Sequence, residues 1–164
     1  MRLVKLGIIS IVVLFVIATL IGLLLPSKVV VSRATDIIAP KDSIFAMVKN
    51  IHAWKQWVVG MNNDGITIAS PTEADLAGTK VSITSTDNYT VQSIWAGKKG
   101  TVQKSTFRVI QDSTSNKAVA QWEFMQELTW YPWDRLSSMM NDKIMGEQLE
   151  ANLANLKKLC ERPR

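Results

Sequence analysis

Residues 50–57 read NIHAWKQW and set the only histidine of the chain, His52, between two of its six tryptophans, Trp54 and Trp57. A histidine is the natural general base near neutral pH, but only with a hydrogen-bonding partner in reach and a seat in a pocket. Here its neighbours are Ile51 and Ala53, on a stretch whose apolar spacing reads as a short packed helix. A lone histidine is not a triad. Tyr89, Glu123 and Asp134 are the other candidates for a positioned acid or base, and no spacing ties them together. No phosphate loop, dinucleotide fingerprint, nucleophile elbow, zinc-helix or calcium-loop pattern occurs. The sequence therefore assigns no catalytic residue.

The other chemistries are limited by composition. One cysteine, Cys160, allows no intramolecular disulfide, and one histidine with one cysteine is too few soft ligands for a structural zinc site. No cofactor is expected. Removing Arg2 and Lys5 from the 19 basic residues leaves 17 against 14 acidic, a small and scattered excess that does not suit nucleic acid. Lys98 and Lys99, between glycines in AGKKG, read as a solvated hairpin tip, with anionic lipid headgroups as the sharper alternative.

The first residues are of another kind. Leu6 to Leu25 is twenty residues without a charge, fifteen of them Leu, Ile, Val or Phe, which is the length a helix needs to cross a hydrocarbon core. At about −0.3 to −0.6 kcal/mol each, these side chains favour the membrane by at most roughly 5–9 kcal/mol. A cleaved signal sequence has a shorter apolar run and ends in a small-residue site; this run ends in LLLPSKVV. An uncleaved anchor over residues 1–26 is the expectation, followed by one domain over 27–164. Arg2 and Lys5 before the span, against Lys28 and Arg33 after it, lean to a cytoplasmic N-terminus and an exported domain, periplasmic in a bacterium.

The elements that would position a site follow from periodicity. KVVVSRATDI (28–37) is β-branched and reads as a strand. Pro40 and Asp42 open a helix over 41–50, with Ile44, Phe45 and Val48 at helical spacing, and a second short helix runs through 51–57. Beyond the turn MNNDG the period becomes two, giving strands over 79–86, 89–96, 101–111 and 118–130 in a meander of about five. A long final helix carries an apolar stripe of Leu136, Met140, Ile144, Leu149, Leu153, Leu156 and Cys160, with Asp134 as its N-cap. The fold class is α+β: a curved antiparallel sheet with one apolar face, covered by the terminal helix.

In this order the chain resembles the START-like, or SRPBCC, superfamily, which includes the polyketide cyclase/dehydrases. The likeness lies in VVSRATDIIAPKDSIFAMVKNIHAWKQW, AVAQWEFMQE and GEQLEANLANLKKLCE, and spans nearly all of 28–162. It implies a helix-grip fold, in which the sheet wraps the last helix around an apolar cavity, and binding of lipids or other hydrophobic molecules. It implies no shared catalytic motif. The lining expected is Val81, Ile83, Tyr89, Val91, Trp95, Phe107, Trp122 and Phe124 from the strands, Trp57 from the short helix, and Gly146 with Leu149 from the last helix. Gly146, costing roughly 1 kcal/mol in a helix interior, would mark a need for space or close approach. Arg33, Ser85, Ser93, Ser105 and Gln126 fall on the inner faces by alternation. The function expected is binding of a hydrophobic small molecule or lipid at the membrane, with a cyclase- or hydrolase-type enzyme in the same cavity as the alternative. A filled interior would instead suit a scaffold for another envelope protein.

Overall fold

The computed structural model describes residues 2–24, 26–98, 100–111, 116–128 and 131–162, with backbone alone at 2–3, 132, 134 and 136–141. The chain opens with α1 (Arg2–Leu24), whose apolar residues from Val4 to Leu24 stand almost wholly outside the fold. Strand β1 (Lys28–Ile37) follows, then α2 (Lys41–Val48) and α3 (Ile51–Trp54). Six strands come next: β2 (Ile66–Ser70), β3 (Glu73–Leu76), β4 (Thr79–Asp87), β5 (Thr90–Ala96), β6 (Val102–Gln111) and β7 (Ala118–Glu127). Helix α4 (Pro132–Cys160) closes the chain.

All seven strands form one antiparallel sheet in the order β1-β7-β6-β5-β4-β3-β2. The two-residue steps from β2 to β3, β3 to β4 and β4 to β5 are tight connections, which only an antiparallel neighbour permits. The return of β1 to pair with β7 brings the two ends of the domain together. The inner face packs on α4, where Leu149, Leu153 and Leu156 are almost fully buried. Each contributes about 1.5–3 kcal/mol of transfer free energy. Glu161, just past α4, accepts from the Ile38 backbone N–H at 2.8 Å and ties the helix end to the end of β1.

The structure corrects several expectations. The meander holds six strands rather than about five, because 66–76 forms a further hairpin, β2–β3. Strand β7 ends at Glu127, and Thr129 and Trp130 lie outside the described residues. Tyr131 takes the N-cap position of α4 with Pro132 in the first turn; the Asp134 side chain lies outside the described residues. Ile144 is exposed, and Met145 takes the inward place on the helix. Leu136 and Met140 fall among the side chains not described.

Candidate functional site

The NIHAWKQW stretch resolves into capping and packing. Asn50 caps α3 by accepting from the His52 backbone N–H at 2.9 Å, and His52 itself points to solvent. Ile51, Trp54 and Trp57 turn inward and are buried. Trp54 stacks on Trp95 at 5.9 Å and 12°, and Trp57 meets Trp122 edge-on at 5.4 Å. Phe107 and Phe124 complete the cluster, at 5.8 and 5.4 Å from Trp122. Burying an indole requires a partner for its N–H, and all four have one. Trp54 donates to the Val48 carbonyl (2.8 Å), Trp57 to that of Met47 (3.3 Å), Trp95 to Ser93 Oγ (3.0 Å) and Trp122 to Ser105 Oγ (2.7 Å). Ser93 and Ser105, expected as pocket polar groups, are thus the acceptors that let two tryptophans be buried.

One half of the interior is filled in this way. Between Trp57, Val91, Phe107 and Val48 the remaining space is about 10 Å³, too little for any ligand. The other half is hollow. A cavity of about 420 Å³ opens to solvent between α4 and the sheet, walled by Trp95, Trp122, Phe124, Met145 and Leu149. That volume lies in the range of small-molecule pockets, which are mostly apolar with a few placed polar groups. The rim comes from the loop after α3, Val58 to Asp64, together with Ile66, Leu76, Ala77 and Thr79.

Two asparagines of α4 hold that loop. Asn152 Oδ1 accepts from the Val59 backbone N–H at 2.8 Å, and Asn155 Nδ2 donates to the Trp57 carbonyl at 3.2 Å. The first bond orients the buried Asn152 amide, which stands in the cavity wall beside Gln148. On the opposite wall Gln103 Nε2 donates to Gln126 Oε1 at 3.0 Å. Of these groups the sequence pointed only to Gln126; the loop, Gln103, Gln148, Asn152 and Asn155 were not expected. The available signal was two asparagines, at 152 and 155, on the flank of an otherwise leucine-rich helix face.

Of the lining expected from the sequence, the structure places Trp95, Trp122, Phe124 and Leu149 at the cavity. Trp57, Val91 and Phe107 lie in the filled half. Val81 is buried and Ile83 half-buried, both packed in the core away from the cavity. Tyr89 is not on a strand face: with Asn88 it forms the β4–β5 turn, both at positive φ (45° and 57°). Its hydroxyl donates to Asp42 Oδ1 at 2.8 Å on the outside of the domain, which raises its pKa above the usual phenol value. Glu123 alternates to the outer face of β7. Ser85 follows a bulge between Ile83 and Ser85, which moves it to the solvent side.

Gly146 marks a close approach, as its place in the helix suggested, but to Arg33 and not to the cavity. The Arg33 guanidinium crosses α4 directly over it, and a Cβ there would collide with Nη2. Arg33 Nε donates to Glu150 Oε1 at 2.7 Å, and Nη1 lies 3.6 Å from Asp142. Asp142, Gly146 and Glu150 are four residues apart, so they share one helix face. The glycine makes room for an arginine clamp between β1 and α4, and Arg33 is committed to that clamp rather than to a ligand. Among the described residues no cluster of His, Cys, Asp or Glu could hold a metal.

This architecture is the START-like helix-grip fold, α+β, with an apolar helix in front of it. Solved structures share it at low sequence identity. A START superfamily protein from Mycobacterium smegmatis aligns with a TM-score of 0.60 at 17% identity, over 80% of this chain and 97% of that one. The di-domain ARO/CYC BexL from the BE-7585A biosynthetic pathway aligns at 0.65 and 10%, over 84% of this chain and 52% of that one. CalU16 from Micromonospora echinospora aligns at 0.58 and 10%, over 82% and 83%. No family model and no curated protein matches the sequence.

Proposed function

We propose that this protein is a membrane-anchored module that binds a hydrophobic small molecule or lipid in the half-open cavity. The observation that carries the reading is the composition of the cavity wall. It is built from aromatic and aliphatic side chains with a few amides, and its one ionisable described residue is Asp64, exposed at the rim. Each methylene moved from water into such a wall contributes about 0.8 kcal/mol, so an acyl or polycyclic ligand binds without a charged anchor once association costs are met. Proton-transfer catalysis needs an acid or base within hydrogen-bond reach of the substrate. His52, Tyr89 and Glu123 all face away from the cavity, which favours binding over the cyclase- or hydrolase-type alternative. The start of the chain supports the anchor: Val4–Leu24 is long and apolar enough to cross a membrane, and nearly all of it stands outside the fold. With Arg2 and Lys5 on the cytoplasmic side, residues 27–164 form an exported domain, periplasmic in a bacterium.

The test is solvent extraction and mass spectrometry of the full chain purified in mild detergent. The expected result is one class of lipophilic molecule bound in the parent protein and about tenfold less in Met145→Trp, where the indole occupies the cavity. Equal recovery from both, or none from either, contradicts the proposal.

A further inference from the structure

The strand register fixes which end of the sheet lies nearest α1. Leu128 donates its backbone N–H to the Ser27 carbonyl at 2.8 Å, and Lys28 stands opposite Glu127, so this end of β1 and β7 lies immediately past the last turn of α1. The ladder carries the same end across the sheet. Gln126 is opposite Gln103, Ala96 is opposite both Val102 and Lys80, and Leu76 is opposite both Thr79 and Ile66. Gln103, Leu76, Thr79 and Ile66 all line the cavity. The cavity thus opens at the end of the sheet from which α1 leaves, and the filled half lies at the far end.

The start of α4 reaches past that end. Tyr131 and Trp133 stack at 5.3 Å and 13°, and Trp133 is more than half exposed. Trp133 also packs on Phe15 of α1 at 6.1 Å, and Arg135 Nη1 donates to the Gly22 carbonyl at 2.9 Å. Phe15 lies nine residues before Leu24, about 13 Å along a helix. A bilayer that holds α1 therefore surrounds the Trp133 ring as well. Phe15 sits near the middle of Val4–Leu24, so at that depth the ring meets the hydrocarbon of the leaflet, which suits an exposed apolar aromatic face. Charge is not the selecting feature: Lys28, Lys80 and Lys98 share this end with Asp64, Asp75 and Glu127.

We propose that the first turn of α4 is a second contact with the bilayer, seated in the leaflet beside α1, and that it holds the cavity mouth against the membrane surface. This rests on reading α1 as a membrane anchor. The occupant of the exposed aromatic patch is the lipid leaflet, because the patch is continuous with the apolar surface of α1. A hydrophobic ligand then passes between leaflet and cavity without crossing bulk water.

The experiment places one nitroxide at a time on the full chain carrying Cys160→Ser, in vesicles of phosphatidylethanolamine and phosphatidylglycerol. Labels replace Val13, Trp133, Val102 and Ile110, all exposed positions. Relaxation by oxygen is compared with relaxation by a water-soluble nickel chelate. The oxygen-to-nickel ratio at 133 is expected within about twofold of that at 13 and about tenfold above that at 110, as lipid-exposed sites differ from aqueous ones. Position 102, at the mouth end, is expected to meet less nickel than 110 at the far end. A label at 133 as nickel-accessible as 110, with 13 still in lipid, overturns the second contact and leaves the anchor standing. Equal nickel access at 102 and 110 overturns the orientation of the mouth. Nickel access at 13 itself removes the anchor and this inference with it.

Discussion

The two halves of the interior share strands β5, β6 and β7, yet one is solid and the other hollow. In the solid half, α3 and the turn after it deliver Trp54 and Trp57 into the sheet, and each indole N–H finds a backbone carbonyl. In the hollow half the covering elements send in Met61 and Met145 but no aromatic ring. The loop from Val58 to Asp64 is held at the rim by Asn152 and Asn155. Met61 of that loop is buried in the core, while the two asparagines fix the backbone on either side of Val58. The interior of this chain is full where Trp54 and Trp57 enter it, and hollow where α4 and the rim loop cover it without a ring.

The sharpest way to break this comparison is a pair of alanine substitutions, one in each half. Trp57→Ala removes a buried ring from a close-packed cluster and is expected to cost about 3–5 kcal/mol. Met145→Ala removes a half-buried side chain that already borders open space, and is expected to cost about 1 kcal/mol or less, since little new cavity is created. Denaturant unfolding of the full chain in detergent, followed by the tryptophan signal, measures both. Equal losses would mean that the two halves are equally packed.

A smaller effect sharpens the account of the clamp that holds β1 to the cover. Gly146→Ala in the parent chain is expected to cost about 1–2 kcal/mol, because the methyl group collides with the Arg33 guanidinium. With Arg33→Ala already present, the same change is expected to stabilise by about 0.5–1 kcal/mol, the ordinary helix preference for alanine over glycine. Melting temperatures of the four-protein cycle give the sign in each background. A gain in both would show that the glycine is there for some reason other than the arginine.

Long, regular elements were legible in the sequence and short or irregular ones were not. Strands β1 and β7 alternate over ten residues each, and their burial follows the alternation closely. The β2–β3 hairpin escaped because its strands are five and four residues long, and β3 carries Glu73 and Asp75, which are poor strand formers. Ser85 was assigned to the wrong face because nothing in TKVSITST signals a bulge at Thr84, and one extra residue inverts every later side chain. Tyr89 reads as the start of a strand by its β propensity, yet with Asn88 it turns through positive φ.

The site was legible only in part, for a related reason. The strand alternation named the aromatic face correctly, but whether a face is filled depends on what crosses it from elsewhere in the chain. Trp54 comes from a short helix that ends there rather than at 57, Trp57 from the turn after it, and Arg33 from an edge strand. The rim loop looked like plain turn chemistry at MNNDG. Gly146 marks a close approach to α4, and the partner is an arginine from a strand more than a hundred residues away in the chain.

The central claim is that a hydrophobic ligand occupies the open half and no other part of the interior. It is tested most directly by photo-crosslinking the full chain with a diazirine-bearing fatty acid and locating the adducts by peptide mass spectrometry. The account predicts adducts on Val58–Asp64 and on Met145–Asn152, and none on Val48, Trp57 or Val91. Adducts confined to α1, or spread equally over both halves, would contradict it.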